Sequence, residues 1–188
     1  MVIGDVKERI NEILCSNTVE QNVDFLIEWI PEIKSMIGFD QKHPHHHLDV
    51  WNHTLMVLSF LTKEDLELKM AALLHDIGKP FCFQNGLDKY LDIWVRHYHG
   101  HADYSADMSK KILNRLGYDE DFVTNVCYLV KYHDTIIEPI DIEFNRELNI
   151  KRLKLQYADA KSHSPHTIER RLARLDEVAA DLKIKCYT

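Results

Sequence analysis

The stretch AALLHDIGKP, residues 71–80, is the most informative part of this chain. Its apolar half is typical of a buried helix, and that helix ends in two side chains that bind metals, His75 and Asp76. Gly78 and Pro80 follow at once and predict that the helix stops there. Because a carboxylate removed from water must be paired or bound to a cation, we expect His75 and Asp76 to hold a metal ion.

Further candidate metal ligands lie far from this stretch along the chain, in or beside other predicted helices. All of them are imidazoles or carboxylates, a set that suits Mn, Fe, Co, Ni or Zn better than Mg or Ca, which prefer oxygen ligands. Six ligands fit either one octahedral ion with open positions or two ions bridged by Asp76. The predicted metal ligands are His53, His75, Asp76, His101, His133 and Asp159.

The composition is that of an ordinary globular protein, with 45% hydrophobic and 28% charged residues in a chain of 188. No apolar run approaches the roughly 20 residues of a membrane helix. The N-terminus lacks the pattern of a signal peptide, so we expect a cytoplasmic protein without membrane contact. The net charge of −7 argues against generic nucleic-acid binding. Reduced thiols are expected at the widely spaced Cys15, Cys82, Cys127 and Cys186.

Helical periodicity dominates the rest of the chain. Between Phe81 and Gly100 the pattern changes, and Gln84-Asn85-Gly86 predicts a turn between two short aromatic-rich segments, 81–83 and 90–95. These would be the strands of a small β-hairpin near residues 81–96, or the segment is an irregular excursion. Pro139 is interpreted as part of a linker. Amphipathic patterns predict helices at residues 5–15, 18–30, 50–61, 63–74, 102–116, 119–133, 146–162 and 167–182.

These elements predict an all-α protein, a bundle of about seven to nine helices. We expect one globular unit in which the N-terminal helices of residues 1–40 pack on a domain formed by residues 41–188. The pattern does not determine the oligomeric state, because helical bundles expose apolar stripes for cores and dimers alike.

The ligand pattern resembles the H…HD…D signature of the HD-domain phosphohydrolase superfamily. The resemblance is closest to the HD domain of bacterial CCA-adding tRNA nucleotidyltransferases and covers roughly residues 41–185. The nucleotidyltransferase half of those enzymes is not recognisable, so CCA addition is not implied. The segments that carry the resemblance are DVWNHT at 49–54, AALLHDIGKP at 71–80, YHGHA at 98–102, LVKYH at 129–133 and ADA at 158–160.

The resemblance implies a metal-dependent phosphohydrolase, a phosphomonoesterase or phosphodiesterase whose partner is a small phosphorylated substrate such as a nucleotide. A water activated by the metal would attack phosphorus. Asp76, Lys79 and His101 are the predicted catalytic residues, and Lys79, Arg96 and His99 are predicted to bind substrate. In this interpretation a first ion is held by His53, His75, Asp76 and Asp159, and a second by Asp76, His101 and His133.

Two other functions stay open, because a fold does not by itself determine an activity. The chain could be a sensing module that binds a nucleotide or metal without turning it over, or an interaction domain with a structural metal. The histidines at 43, 45, 46 and 47 are interpreted as loop residues, one of which could line the pocket. Arg170, Arg171 and Arg174 are interpreted as a solvated helix face.

Overall fold

The computed structural model describes residues 2–89 and 92–184. Within these ranges the chain forms an all-α bundle with one two-stranded hairpin, which confirms the predicted fold class. None of the helices in these ranges combines the length and apolar character that a membrane span requires. The elements are α1 (Ile3–Ser16), α2 (Val23–Trp29), α3 (Val50–Ser59), α4 (Leu66–Leu74), α5 (Lys79–Cys82), β1 (Gln84–Asp88), β2 (Ile93–His97), α6 (His101–Arg115), α7 (Glu120–Lys131), α8 (Pro139–Phe144), α9 (Arg146–Lys161) and α10 (Pro165–Asp181).

Four of the helices begin at a side chain that caps them. Asp49, Asp65, Asp119 and Asn145 each accept a hydrogen bond from the backbone N–H three residues later. Such a cap satisfies an otherwise unpaired donor and contributes about 1 kcal/mol. The capped helices α3, α4, α7 and α9 each carry or immediately precede a predicted metal ligand, so local sequence sets where four of the ligand-bearing helices start, whereas α6, which begins with His101, has no side-chain cap.

Helix α4 lies at the centre of the bundle, with every side chain from Leu68 to Leu74 buried. It contacts α1, α3, α6, α7 and α9. The N-terminal helix α1 buries one apolar stripe, including Ile10 and Leu14, in the same hydrophobic core. Each such side chain stabilises the fold by roughly 1.5–3 kcal/mol relative to an exposed one. The domain boundary near residue 40 stays a prediction.

The hairpin forms, but its turn is not where the sequence predicted it. Gln84, Asn85 and Gly86 lie in β1 and pair with β2. A Cβ at Gly86 would lie 2.8 Å from the ring of His97, so the glycine allows close packing across the strands and does not form a turn. The predicted strand at 81–83 is also wrong, because Phe81 and Cys82 belong to α5. Tyr90 and Leu91, placed in the second strand, lie outside the described residues.

The placement of Pro139 in a linker is wrong as well. It begins α8, where proline is favoured because the first N–H of a helix has no intrahelical acceptor. Pro80 likewise occupies the first turn of α5, so the chain turns helically again soon after α4 ends. Cys15, Cys82 and Cys127 are free thiols, and Cys186 lies outside the described residues.

Candidate metal centre

The six predicted ligands converge in one buried chamber at the ends of the helices. Their donor atoms form two groups, and within each group the donors lie within 4.8 Å of one another. Five of the six residues are buried, and the side chain of His101 is 13% exposed. The first group is His53, His75 and Asp159, and the second is Asp76, His101 and His133.

Asp76 lies between the two groups and directs one carboxylate oxygen toward each. Its Oδ2 lies 3.2 Å from His75 Nε2 and 3.6 Å from His53 Nε2. Its Oδ1 lies 3.4 Å from His101 Nε2 and 3.8 Å from His133 Nε2. A carboxylate in this position can bridge two ions, which favours the two-ion alternative over a single octahedral ion.

Hydrogen bonds to backbone carbonyls orient the four imidazoles. His75 Nδ1 donates to the Ala72 carbonyl at 2.8 Å, and His133 Nδ1 donates to Val130 at 2.7 Å. A carbonyl only accepts, so in the neutral ring Nδ1 carries the hydrogen and Nε2 keeps its lone pair for the chamber. The same arrangement holds for His101 Nδ1 to Tyr98 at 2.9 Å and for His53 Nδ1 to Ser162 at 3.3 Å.

The Nε2 atoms in the chamber face one another, and in the neutral rings none of them carries a hydrogen to donate. His53 Nε2 lies 3.4 Å from His75 Nε2, and His101 Nε2 lies 3.3 Å from His133 Nε2. Both oxygens of Asp76 are buried; Oδ2 is paired with the Lys79 ammonium, whereas Oδ1 faces only imidazole nitrogens among the described residues. Opposed lone pairs and an unpaired carboxylate oxygen are costly unless a cation lies between them. The residues present therefore fit divalent metal ions.

The electrostatics of the chamber favour positive charge beside Asp76. Burial opposes ionisation of Asp76, but His75 and Lys79 hold its pKa well below the usual range. Burial also disfavours the His75 imidazolium, yet the Asp76 carboxylate outweighs it and raises the pKa of His75. The pKa of His133 is lowered to about 4, chiefly by burial. At neutral pH, Asp76 is thus ionised and His133 neutral, which are the forms that bind metals.

Two residues of the site were missed by the sequence analysis. His163 donates from Nδ1 to the Asp159 carbonyl at 2.8 Å, and Arg171 Nη2 lies 3.1 Å from Asp159 Oδ2. The prediction of a solvated helix face is therefore wrong for Arg171. Despite burial, His163 and His53 hold the pKa of Asp159 well below the usual range. The spacing of four residues between Asp159 and His163 places them as helical neighbours and could have identified the histidine.

Lys79 occupies the wall of the chamber. It is buried, with Nζ 2.7 Å from Asp76 Oδ2, and it donates to Gln41 Oε1 at 2.9 Å. Its burial excludes the role of a solvent-exposed loop lysine. Its position beside Asp76 brings its charge to the chamber.

The other predicted substrate ligands, Arg96 and His99, also line the cavity around the chamber. The Arg96 guanidinium lies 4.6 Å from the ring centroids of both Phe39 and Phe83. This packing favours a structural role for Arg96 over the predicted contact with phosphate. The exposed ring of His99 stacks on His97, with their centroids 5.5 Å apart.

The histidine-rich loop contributes more to the site than the sequence suggested. Its residues His43, His45 and His46 line a cavity of about 510 Å³ that opens from the chamber. The ring of His46 lies 4.5 Å from that of His163, centroid to centroid. Burial lowers the pKa of His46, so this ring is neutral at physiological pH.

Comparison with known proteins places the chain in a family. The family model for the HD domain matches residues 50–180. Over 143 residues the chain is 33% identical to an A-adding tRNA nucleotidyltransferase of Deinococcus radiodurans, covering 71% of this chain and 32% of the relative. Over 119 residues it is 32% identical to a CC-adding tRNA nucleotidyltransferase of Thermus thermophilus, covering 60% of this chain and 26% of the relative. The chain thus spans a third or less of the length of these curated relatives.

Proposed function

This chain belongs to the HD domain family, and on that premise we propose that it is a metal-dependent phosphohydrolase acting on a phosphate ester of a nucleotide or a related compound. One observation carries the proposal. The two oxygens of Asp76 face two separate groups of Nε2 lone pairs within a chamber that opens to a cavity. Two divalent ions about 3.5–4 Å apart are a common device for attacking a phosphoryl group in line.

Most residues of the chamber would hold the metal ions, and another would offset the charge of the substrate. His53, His75 and Asp159 would hold one ion, His101 and His133 the other, and Asp76 would bridge them. When bound, the ions supply Lewis acidity and a nucleophilic water. Nδ1–H bonds to backbone carbonyls keep each imidazole aimed at its ion.

Lys79 would act on the substrate. Its Nζ lies at the cavity wall beside Asp76, where an ammonium group can offset charge on a non-bridging phosphoryl oxygen. The burial of Lys79 strengthens that interaction, because charges attract more strongly where water is excluded. Arg171 contacts Asp159 Oδ2 and would keep Oδ1, which lies 3.0 Å from His53 Nε2, oriented toward the first ion.

The proposal is tested by loading the purified chain with Mn²⁺, Co²⁺, Ni²⁺ or Zn²⁺ and measuring metal content and hydrolysis together. The substrates are 4-nitrophenyl phosphate, bis(4-nitrophenyl) phosphate and adenosine 2′,3′-cyclic phosphate. We expect hydrolysis by the native chain and loss of both metal and activity in Asp76→Ala. Asp107→Ala, at an exposed position of α6, serves as the matched control and should retain both.

Each outcome separates the alternatives. Metal binding without hydrolysis of any of these esters would favour the sensing module over the enzyme. Absence of metal from the native chain after incubation with all four ions would overturn the proposal at its first step. Unfolding of Asp76→Ala, measured by circular dichroism, would favour a structural metal.

A further inference from the structure

The cavity around the metal chamber adjoins a second cavity that the proposed chemistry does not use. This cavity, which we name the α10 groove, has a volume of about 700 Å³. His133, Asp134, Thr135 and Arg171 line both the groove and the cavity around the chamber. A volume of this size is typical of sites for organic ligands. One molecule could therefore reach from the metal ligands into the α10 groove.

The walls of the α10 groove are suited to an apolar body. One wall is a face of α10, on which Arg171, Leu175 and Val178 recur at spacings of three and four residues. The facing wall is the segment 134–138 after α7, which contributes Ile136 and Ile137. These aliphatic side chains offer the contacts that a nucleoside or a similar organic group needs.

The rim of the α10 groove carries positive charge that the protein does not neutralise. Arg171 is bound to Asp159, but Arg170 and Arg174 make no ion pair with any acidic side chain in residues 2–89 and 92–184. Both are exposed and one helical turn apart. A guanidinium binds phosphate through two parallel hydrogen bonds. Because the chain has a net charge of −7, these two arginines form a local concentration of positive charge and do not reflect an excess of basic residues in the whole chain.

The acidic residues of the groove do not cancel this charge. Asp134 faces the metal chamber, with Oδ2 3.9 Å from His101 Nε2. Glu138 lies at the start of α8. Along α10, Arg170 and Arg174 lie within about 4.5 Å of Arg171 in the axial direction, given the rise of a helix, and both precede Leu175 and Val178. Positive charge therefore lies beside Arg171, which lines both cavities, and the apolar part of the α10 groove follows it.

We propose that the α10 groove binds a second phosphate of the substrate, through Arg170 and Arg174, while the first phosphate lies at the metal chamber. The substrate class is thus a nucleoside bisphosphate or a 5′-phosphorylated dinucleotide, and not a simple monophosphate. The inference rests on the proposed function for the position of the first phosphate. The groove, its apolar walls and its free arginines are independent of that function.

The test compares adenosine 3′,5′-bisphosphate and the dinucleotide pApA with adenosine 5′-phosphate and adenosine 3′-phosphate on the Mn²⁺-loaded chain. We expect kcat/KM to be about tenfold higher for at least one ligand with a second phosphate, as two exposed charge pairs would give. In Arg170→Gln/Arg174→Gln that preference should fall below about twofold. The matched control, Lys110→Gln/Lys111→Gln, removes two exposed charges from α6 and should keep the preference.

The test distinguishes failure of the proposed phosphate site in the α10 groove from failure of the proposed hydrolase activity. Equal kcat/KM for all four nucleotides, or a preference that survives in the arginine variant, would overturn the groove while leaving the hydrolase intact. If no nucleotide is hydrolysed, calorimetric titration of the same ligands measures the groove directly. A dissociation constant about tenfold lower for a ligand with a second phosphate, lost in the arginine variant, would then support it, and equal or undetectable binding would overturn it.

Discussion

Lys79 and Asp76 form a buried ion pair within one helical turn, with Nζ 2.7 Å from Oδ2. The Lys79 backbone N–H also donates to the Asp76 carbonyl at 3.0 Å. The residue that we propose as a phosphate ligand is therefore the residue that neutralises the bridging carboxylate. We therefore expect Lys79 to offset the charge of Asp76 when no metal ion is bound.

We predict that Lys79→Met destabilises the metal-free protein by about 3 kcal/mol, because removing one partner leaves a buried charge uncompensated. With Mn²⁺ bound the loss should be smaller, since the ions take over that compensation. Urea unfolding with EDTA and with Mn²⁺ measures both. Arg9→Met, which breaks the exposed pair with Glu12, should change little in either condition. An equal loss of stability with and without metal would contradict the prediction.

The two donor groups predict separate metal losses. His53→Gln removes a donor from one group and His133→Gln from the other. We expect two ions in the native chain and about one in each variant, because the remaining group keeps its donors. Elemental analysis after dialysis measures the stoichiometry. Loss of all metal from either variant would show that one ion, and not two, is bound.

The stability of the metal-free protein should fall as the pH decreases from about 6.5 to 4. His133 and His163 each have a pKa of about 4 in the folded state, mainly through burial, against about 6.5 when unfolded. Between these values the unfolded chain binds more protons, so acid favours unfolding. His75, with its raised pKa, is protonated in both states over most of this range and does not oppose the trend, and His46, whose pKa burial also lowers, adds to it.

Urea unfolding in EDTA at several pH values measures this slope. His163→Gln should flatten it, because one of the groups with a lowered pKa is removed. Stability that stays constant or rises between pH 6.5 and 4 would contradict the assignment. With metal present the slope should be steeper, since protons then also compete with the ions for Nε2.

Gly78 is required by a close approach between helices. Its N–H donates to Ser105 Oγ at 2.9 Å, and a Cβ at this position would lie 2.8 Å from the Ser105 backbone nitrogen. We predict that Gly78→Ala costs about 1–3 kcal/mol and weakens metal binding, because α6, which begins with His101, must move. Gly4→Ala is the matched control, since a Cβ there meets nothing within 4 Å. Thermal unfolding and metal titration of both variants provide the check, and equal behaviour would refute the prediction.

The sequence by itself determined most of the helices and singled out the candidate metal ligands. These features follow from local patterns. Apolar spacing predicts which segments are helical, and Asp49 is a cap because its side chain reaches the N–H three residues later. The dipeptide His75-Asp76 after a buried helix is likewise informative without any tertiary contact, because burying a carboxylate is costly.

Only the tertiary structure decided how the ligands divide into two groups and what surrounds them. Asp76 faces His101 and His133, which lie far from it in the sequence, so no local pattern predicts these contacts. The contact of Arg171 with Asp159 and the packing of Gly86 under His97 arise from the way separate elements pack. Spacing along the chain determines local structure, whereas the neighbours of a side chain depend on the packing of the whole bundle.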